Sequence, residues 1–571
     1  MMLDTLPRDP TALFDAPWET FQPHWDALAA VELSTANVAA WLEAWSRLHD
    51  LIIEIGARLN VAISRDTADS AAEARYHAFV SGVQPHARKM GNALKEKLIA
   101  SGLEPGHFAI PLRNMRAEAA LFRESNLPLQ VEEETLRTQF DKITGAQTFS
   151  WQGETYTIPA LAKLLQHPDR AFREGAWRAA HDRILADRAT YNALWTKFVP
   201  LRAQMARNAG FDTYRDYAWQ LRLRFDYRPE DSLRFHDAIE QKVVPAAREL
   251  RRRQSERLKI DSVRPWDLVI DPFAETPLRP FADETEFIDR AQSVFDQLDP
   301  QLGTYFRQMR DSDMLDLMSR PHKRPGGYCA TLPVTQRPFI FMNAVGVGEN
   351  IRTLFHEAGH AFHAFEKFAL PFTQQRLNTA EFNEVASMAM ELLTFPYWER
   401  DKGGYYSPAD ATRAKIDHLE KIINFWPYMA VVDAFQHWVY THTDQAADPD
   451  QCDAAWSALW DRFMPSEDWS GLDAYKVTGW HRKLHIFNYP FYYVEYGMAQ
   501  IGAVQIYANM LRDQPGALAA YKRALALGGT RGLPELYTAA GAQFAFTSET
   551  VGAAVELIMG EIDKLEAQVT G

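Results

Sequence analysis

Apolar residues recur at helical spacing over most of the 571 residues of this chain, and this periodicity restricts its fold more than any other feature. Between residues 24 and 103, for example, Trp41, Trp45 and Leu48 lie three or four positions apart, and Pro85 is the only proline. Residues at this spacing share one face of an α-helix, so each segment has a buried side and a solvated side. The sequence therefore predicts a mostly α protein.

Two short segments break the helical pattern and have the composition of β-structure. Residues 148–158 place β-branched and aromatic residues around Gly153, which predicts a hairpin. Residues 326–343 begin with a glycine pair and end in the apolar run Pro338 to Asn343, which we expect to form a strand at the edge of a small sheet.

A proline-rich connector at residues 258–282 predicts the boundary between two lobes. The first lobe, residues 1–257, is expected to be mainly helical, with the hairpin near 148–158. The second lobe, residues 283–571, is expected to be helical, with the small β island near 326–343. No internal repeat or low-complexity tract suggests a repeat architecture.

Charge and cysteine content exclude several classes of protein. The 61 basic and 75 acidic residues give a formal net charge of −14, and we expect no nucleic-acid partner, because such binding requires clustered positive charge. Two cysteines, Cys329 and Cys452, can form neither a disulfide scaffold nor a four-cysteine zinc site. The N-terminal MMLDTLPRDP lacks the pattern of a secretory signal, and no apolar run approaches the length of a membrane span. We therefore expect a cytoplasmic protein without a membrane partner.

The five residues from His356 to His360, HEAGH, form the motif with the clearest chemical meaning. Positions i and i+4 of a helix lie on one face, so His356 and His360 can present two imidazole nitrogens to one metal ion. Glu357 lies on the neighbouring flank, where its carboxylate can hold a metal-bound water. The alternative is a core helix with two buried histidines. The motif predicts one zinc ion per chain.

His363 cannot join this site as a third ligand. It lies seven residues after His356, which corresponds to a rise of about 10.5 Å along a helix, whereas zinc ligands lie about 2 Å from the ion. We therefore expect a supporting or structural role for His363. The longer HExxHxxGxxH pattern is absent, because its third histidine is replaced by Glu366.

A second helix, which follows the polar run Thr373 to Asn378, supplies candidate carboxylate ligands. Thr379 can cap this helix, whose acidic residues are Glu381, Glu384 and Glu391. Glu381 and Glu384 lie one turn apart and can both face a metal ion held by the first helix. Glu391 lies two turns beyond Glu384, about 10.5 Å further along the helix. Spacing alone leaves the choice of ligand open.

These motifs resemble those of the zinc peptidases typified by oligoendopeptidase F and thimet oligopeptidase. The resemblance rests on TLFHEAGHAFH followed by EFNEVASMAMELL, extends to residues 167–182, 206–219 and 485–503, and covers most of the chain from about residue 110. It implies that Glu384 is the third zinc ligand and leaves Glu381 and His363 for supporting or substrate-binding roles. The implied fold is a mostly α, two-lobed helical metallopeptidase with a deep central channel and zinc at its floor.

The segment 485–503 concentrates aromatic side chains with hydrogen-bond donors, namely His485, Tyr489, Tyr492, Tyr493 and Tyr496. Peptide hydrolysis builds negative charge on the carbonyl oxygen, and neutral phenol or imidazole donors can stabilise it. By the resemblance, this role belongs to a histidine and two tyrosines one turn apart, which His485, Tyr493 and Tyr496 match best, with Tyr492 as an alternative. The pair His481 and His485 also has i, i+4 spacing, but no Glu follows His481, so we expect no second zinc site.

Together these residues predict a zinc-dependent endopeptidase that hydrolyses internal bonds of short, unstructured peptides with a metal-activated water. Glu357 would be the general base, and the strand Pro338 to Asn343 would pair with the peptide backbone. One alternative is a peptidyl carboxypeptidase on the same fold, which would need a basic residue for the terminal carboxylate. Another is a non-catalytic helical peptide-binding protein. The partners are short peptides, and no feature specifies an oligomeric state.

Overall fold

The computed structural model of this protein describes residues 9–274 and 276–570, which are mostly α-helical, as the periodicity predicts. In the first half of the chain the α-helices are α1 (Trp18–Ala30), α2 (Val38–Arg65), α3 (Ser70–Gly82), α4 (Gln84–Ser101), α5 (Ala109–Leu121), α6 (Leu127–Gly145), α7 (Leu161–Leu164), α8 (Arg170–Ala186), α9 (Arg188–Asn208), α10 (Tyr214–Leu221), α11 (Pro229–Ala238) and α12 (Val244–Leu258). The second half contains α13 (Glu284–Leu298), α14 (Pro300–Asp311), α15 (Gly348–Lys367), α16 (Ala380–Leu393), α17 (Pro408–Thr441), α18 (Thr443–Ala446), α19 (Pro449–Phe463), α20 (Asp473–Val477), α21 (Leu484–Asn488), α22 (Tyr493–Arg512), α23 (Gln514–Ala526), α24 (Leu533–Ala539) and α25 (Ser548–Thr570).

The predicted hairpin is present as the antiparallel pair β1 (Thr148–Trp151) and β2 (Glu154–Thr157). Its two turn residues, Gln152 and Gly153, have φ angles of 49° and 84°. Positive φ at both central residues is the geometry that matches the twist of a two-residue hairpin, and the glycine at the second position allows it without strain.

The second β island is a three-stranded sheet of β3 (Leu315–Met318), β4 (Tyr328–Leu332) and β5 (Arg337–Ala344) in the order β3-β5-β4. Strand β5 pairs in parallel with β3 and antiparallel with β4. The prediction that Pro338 to Asn343 forms an edge strand is therefore wrong, because this segment is the central strand. Its consecutive apolar residues are buried on both faces, which is typical of a central position, and β4 is an edge of the sheet.

The chain divides into two compact units, each built from three stretches of sequence. The first unit contains the chain up to Ala120, Leu278–Ala411 and Gly502–Phe544, and the second contains Leu121–Pro277, Thr412–Ile501 and the chain from Ala545 onward. This division differs from the predicted succession of two lobes joined at residues 258–282. The chain passes from one unit to the other five times, and only the passage after Pro277 falls in the proline-rich segment. The other passages arise because long-range contacts join later stretches of the chain to each unit.

Helices α1 to α5 enclose an apolar core of the first unit in which tryptophans are prominent. Trp25, Trp41 and Trp45 are buried there, and Nε1 of Trp41 donates a hydrogen bond to the backbone oxygen of Leu28 at 2.9 Å. Phe372, from the segment between α15 and α16, also belongs to this core. The core thus anchors the connection between the two helices that carry the HEAGH motif and the acidic residues.

Strand β5 leads into α15, and a side chain in the first turn of the helix fixes the connection. Oδ1 of Asn350 accepts hydrogen bonds from the backbone N–H groups of Val345 at 2.8 Å and Val347 at 3.1 Å. Strands β4 and β5 also pack against α15. Thr379 is the N-cap residue of α16, as predicted, but its side chain makes no capping hydrogen bond.

Residues 1–8, on which the expectation of no secretory signal depended, lie outside the described residues. Among the helices that the structure describes, none combines the length and the apolar composition that crossing a bilayer would need. Both cysteines are free thiols, Cys452 buried and Cys329 partly buried.

Candidate metal centre

Helices α15 and α16 approach each other closely because Gly359 carries no side chain. A Cβ atom at Gly359 would lie 2.6 Å from the backbone oxygen of Ala386 and 2.6 Å from Cα of Ser387, both on α16. Such distances are far below van der Waals contact, so any side chain would push the helices apart. The approach places the HEAGH motif beside the acidic residues of α16.

Three of the predicted site residues converge between these two helices. Nε2 of His356 lies 3.4 Å from Oε2 of Glu384, and Nε2 of His360 lies 3.8 Å from the same oxygen. One possible ligand atom from each residue lies within 4.8 Å of the other two, and no other group of His, Cys, Asp or Glu in the described part of the chain is this compact. Two imidazoles and one carboxylate form the donor set of many catalytic zinc sites, in which a fourth position stays open.

Two further side chains hold the donors in place. Oε1 of Glu391 accepts a hydrogen bond from Nδ1 of His356 at 2.7 Å, so the other ring nitrogen is directed toward Glu384. The hydroxyl of Ser387 donates to Oε2 of Glu384 at 3.2 Å. Partners of this kind fix the tautomer and orientation of metal-binding residues.

The electrostatics of the group favour a bound cation. Burial disfavours the imidazolium form of His356, but the hydrogen bonds and charges of Glu384 and Glu391 outweigh burial and raise its pKa to about 10. At His360 burial is the largest effect and lowers the pKa to about 4, so this ring is neutral with a lone pair available. The residues therefore fit a divalent metal ion in both donor chemistry and charge.

Glu357 is buried beside this group, with 7% of its surface exposed, and is not one of the three converging donors. Burial raises the pKa of its carboxyl to about 7, with His356 acting in the opposite direction. A Cβ atom on Gly327, directly before β4, would lie 3.8 Å from Oε1 of Glu357. A carboxyl group with this pKa can accept and return a proton near neutral pH.

His363 and Glu381 lie outside the converging group. His363 is 1% exposed, its ring packs edge-on against Phe382 at 6.0 Å between centroids, and burial lowers its pKa well below the usual value. Glu381 is 1% exposed, and its charge acts on the buried Tyr537. Both residues are part of the interior around α15 and α16.

The predicted His/Tyr cluster lies in the second unit. The ring of His485 lies within 4.9–6.3 Å, between centroids, of four tyrosines: Tyr489, Tyr492, Tyr493 and Tyr496. His485 lies on the short α21, whereas Tyr493 and Tyr496 lie on α22. The helix is interrupted at Pro490, which has no N–H to donate, and at Phe491, which has a φ angle of 62°. This bend brings His485 and Tyr493 side by side.

The environment keeps the donors of this cluster uncharged. Burial lowers the pKa of His485 to about 3, with further lowering by Lys483 and Arg222. Burial raises the pKa of Tyr493 well above the usual value for a phenol, with smaller contributions from Tyr428 and Tyr496. A neutral imidazole and a neutral phenol can both donate hydrogen bonds to a developing oxyanion.

His481 and His485 do not form a pair on one helical face. His481 lies in a 3₁₀ turn, Gly479–Arg482, and its Nε2 bonds to Oδ1 of Asn192 at 2.8 Å. Burial lowers its pKa to about 3. His481 therefore uses its Nε2 atom in a hydrogen bond within the second unit.

Sequence reasoning missed the role of Glu391. Its rise of about 10.5 Å beyond Glu384 was weighed only against a role as metal ligand. Seven residues are two turns, so the two carboxylates share a face of α16. Glu391 reaches Nδ1 of His356, and Glu384 reaches Nε2 of the same ring. A second acid seven positions after a candidate ligand, in an otherwise apolar helix, is the pattern that could have indicated it.

Known proteins resemble this chain in both sequence and structure. The family model described as "Peptidase family M3" matches residues 163–554. An oligoendopeptidase F homolog of Mycoplasma pneumoniae is 24% identical over 419 residues, which are 69% of this chain and 65% of the relative. A homolog of the same description from Mycoplasma genitalium is 23% identical over 329 residues, 53% of this chain and 52% of the relative.

These matches leave a large part of each curated relative uncovered, since the chain spans 65% of the first and 52% of the second. Structural similarity extends further. A solved structure of Pz peptidase A with an inhibitor superposes with a TM-score of 0.86 at 26% identity, covering 98% of both chains. The shared fold therefore includes the N-terminal helices that precede the region matched by the family model.

Proposed function

The chain belongs to peptidase family M3, and we propose that it is a zinc-dependent endopeptidase that hydrolyses internal bonds of short, unstructured oligopeptides. The observation that carries this proposal is the convergence of His356, His360 and Glu384, with the buried carboxyl of Glu357 beside them. The names of the curated relatives, oligoendopeptidase F homologs, support the choice of substrate class.

His356, His360 and Glu384 would hold the metal ion, and Glu391 would orient His356. Zinc in this donor set lowers the pKa of a coordinated water and polarises a peptide carbonyl. Glu357 would take a proton from that water and pass it to the leaving nitrogen. Its pKa of about 7 suits both transfers at neutral pH.

His485, Tyr493 and Tyr496 are assigned to the carbonyl oxygen of the scissile bond. The assignment rests on the family resemblance and on the neutral donors of the cluster. Phenol and imidazole groups that donate to the oxygen as it becomes negative stabilise the transition state more than the bound substrate. Tyr492, whose ring lies 5.3 Å from that of Tyr496, is the alternative donor.

Strand β4 takes over the role first assigned to Pro338–Asn343 as the partner of the peptide backbone. It forms an edge of its sheet, and Gly327, directly before it, lies beside Glu357. A peptide that adds a strand to β4 would be recognised through its backbone, so its side chains would matter little. An extended, unstructured chain is the only form that can pair in this way.

The first experiment is metal analysis of the purified protein together with hydrolysis of a quenched peptide, with products identified by mass spectrometry. We expect about one zinc per chain, loss of hydrolysis on chelation, and cleavage at internal bonds. Release of one or two residues from the C-terminus alone would identify a peptidyl carboxypeptidase instead. A metal-free protein that binds peptides without cleaving them would contradict catalysis.

A second experiment tests the substrate class. Peptides of increasing length are digested beside a stable folded protein and the same protein after denaturation. The channel implied by the family would admit only extended chains, so short peptides should be cleaved and the folded protein spared. Cleavage of the folded protein at rates close to those of the peptides would contradict the channel.

A further inference from the structure

The second unit contains a cavity of about 460 Å³ that the proposed catalytic residues do not use. Its walls come from α8, α12, α17 and α19 and from the segments that follow α12, α19 and α20, and they contain both aromatic and charged side chains. The aromatic side chains include Trp177, Phe425, Tyr428, Trp460 and Trp469. Such a surface favours a ligand with a large apolar group.

Arg482 lines the same cavity, and a hydrogen bond orients its guanidinium group. Its Nη1 donates a hydrogen bond to Nε2 of His181 at 2.6 Å. Nδ1 of His181 donates to the backbone oxygen of Trp177 at 2.9 Å, and the two rings stack with centroids 3.8 Å apart. His181 is therefore a neutral ring with one acceptor, and it uses that acceptor to orient the guanidinium.

Among the residues that the structure describes, none neutralises the charge of Arg482. Arg482 is an exposed residue that lines the cavity, and partial loss of hydration among the surrounding protein atoms lowers the pKa of its guanidinium group. Within residues 9–274 and 276–570, no carboxylate forms an ion pair with it. The neighbouring Lys483 also has no carboxylate partner in that part of the chain, and its Nζ lies 3.7 Å from the ring centroid of Tyr493 and 5.1 Å from that of Tyr428.

The other charged groups of the cavity are already paired. Nη2 of Arg251 lies 4.0 Å from Oε1 of the buried Glu467, whose Oε2 accepts a hydrogen bond from Nε1 of Trp469 at 3.3 Å. Nζ of Lys421 lies 2.6 Å from Oδ2 of Asp417. The net effect is that Arg482 is the one lining cation of the described residues without a carboxylate partner, in a cavity that also presents five large aromatic side chains.

We propose that this cavity binds the C-terminal residue of a peptide, with its α-carboxylate on Arg482 and a large apolar side chain against the tryptophans. The identity of the ligand as a peptide rests on the proposed function. A site for the C-terminal carboxylate is also what the carboxypeptidase alternative requires, and the product analysis described above distinguishes the two activities. A guanidinium fixed in orientation is the group that suits a carboxylate, because two parallel N–H donors match its two oxygens. The cavity also adjoins the His/Tyr cluster, since the rings of Phe425 and Tyr428 lie 5.6 and 6.0 Å from that of Tyr493.

A binding measurement tests the proposal without any hydrolysis. N-acetyl-L-tryptophan and N-acetyl-L-tryptophanamide differ only in the carboxylate, and calorimetry compares their affinities for the full-length, zinc-loaded protein. We expect the acid to bind about tenfold or more tightly than the amide, the effect of one charge-assisted interaction. A carboxylate can also bind zinc, so the comparison is repeated after chelation. A preference for the acid that remains without zinc is then due to Arg482.

Variants locate the site. Arg482→Gln should abolish the preference for the acid, and Arg482→Lys should retain part of it, because it keeps the charge but loses the paired donors. Arg234→Ala is the matched control, since Arg234 is a 66% exposed arginine of the same unit. Thermal unfolding of each variant shows that its fold is intact. If Arg482→Gln does not fold, the proposal is tested by comparing the affinities for acid and amide in wild type and in Arg482→Lys.

Each result has a defined meaning. Equal affinity for acid and amide, or a preference that disappears on chelation, overturns the inference whether or not the protein hydrolyses peptides. A preference that survives in Arg482→Gln also overturns it. Binding of the acid through Arg482 in a protein that hydrolyses no peptide would leave the cavity assignment in place and overturn the proposed function instead.

Discussion

Glu391 accepts a hydrogen bond from Nδ1 of His356 at 2.7 Å, while Nε2 of the same ring lies 3.4 Å from Glu384. One histidine thus links two carboxylates of the same helix, each at a different nitrogen. The carboxylate of Glu384 can bind a metal ion together with the His356 ring, whereas Glu391 can affect the metal ion only through that ring. The two acids should therefore have effects of very different size when they are replaced.

Glu384→Ala should nearly abolish zinc binding, because it removes a direct ligand. Glu391→Ala should lower zinc affinity by about 10- to 100-fold, the usual effect of losing a partner of a metal-binding histidine. Competition with a chelator of known affinity measures both. Equal zinc retention in the two variants would mean that the ligand has been assigned to the wrong carboxylate.

Glu357→Gln should bind zinc as tightly as wild type and keep the fold, yet lower kcat by about 10²- to 10⁴-fold, the range expected for a general base. The amide is nearly the same size as the carboxyl but cannot accept the proton. Glu366→Gln, on the same helix, is the matched control. Turnover of Glu357→Gln within tenfold of wild type would falsify the assigned role.

Tyr493→Phe and Tyr496→Phe should each lower kcat by about 10²-fold or more with little change in KM, because the donated hydrogen bond forms mainly in the transition state. Steady-state kinetics on one peptide provides the split between kcat and KM. Tyr489→Phe, at a position that is 50% exposed, is the control. A Tyr492→Phe variant with a larger defect than both would move the assignment to that residue.

Gly359→Ala should destabilise the first unit by about 1–3 kcal/mol, because its Cβ would overlap the backbone of α16 and force the helices apart. Zinc affinity should fall as well. Gly91→Ala is the control, since no atom lies within 4 Å of the added Cβ there, and a helical alanine should stabilise by up to about 1 kcal/mol. Denaturant unfolding measures both, and two variants of equal stability would contradict the packing argument.

Lys483→Met should change how stability depends on pH. Burial, with the nearby charge of Arg482, lowers the pKa of Lys483 from 10.5 to about 7. Between these values the unfolded chain binds a proton that the folded protein does not, so the free energy of unfolding of wild type rises with pH in this range. Relative to the variant, wild type should be least stable at pH 7 and below and should gain stability toward pH 10.5.

The control for this measurement is Lys564→Met, a lysine whose side chain is 72% exposed. Unfolding of all three proteins is followed in the same buffers, and the differences between each variant and wild type are compared. A constant difference for Lys483→Met between pH 7 and pH 10 would show that this ammonium group is as well solvated in the folded protein as in the unfolded chain.

Local spacing was sufficient for the features that lie within one or two helices. The i, i+4 positions of His356 and His360 and the cap position of Thr379 follow from the geometry of a single helix, and the structure has them at those places. The hairpin around Gly153 is equally local. These features need no knowledge of distant contacts.

Features that depend on contacts between distant parts of the sequence could not be predicted from local spacing. The central position of β5 depends on pairing with β3, which precedes it by about twenty residues, although its unbroken apolar run already indicated burial on both faces. The sequence alone did not single out Arg482 as a carboxylate-binding residue. Its environment is assembled from α8, α17 and α19, and only their packing places His181 beside it.

The interleaving of the two units has a consequence for synthesis on the ribosome. The first unit lacks its last stretch until Phe544 has been made, and the second lacks its last stretch until the final helix α25 emerges. Neither unit can therefore complete its core early while the other is still being translated, unlike domains arranged one after another. Exposed apolar surface would persist until α25 has been made, so we expect newly made chains to depend on chaperones more than their size alone suggests. A fragment ending at residue 257 would contain incomplete pieces of both units.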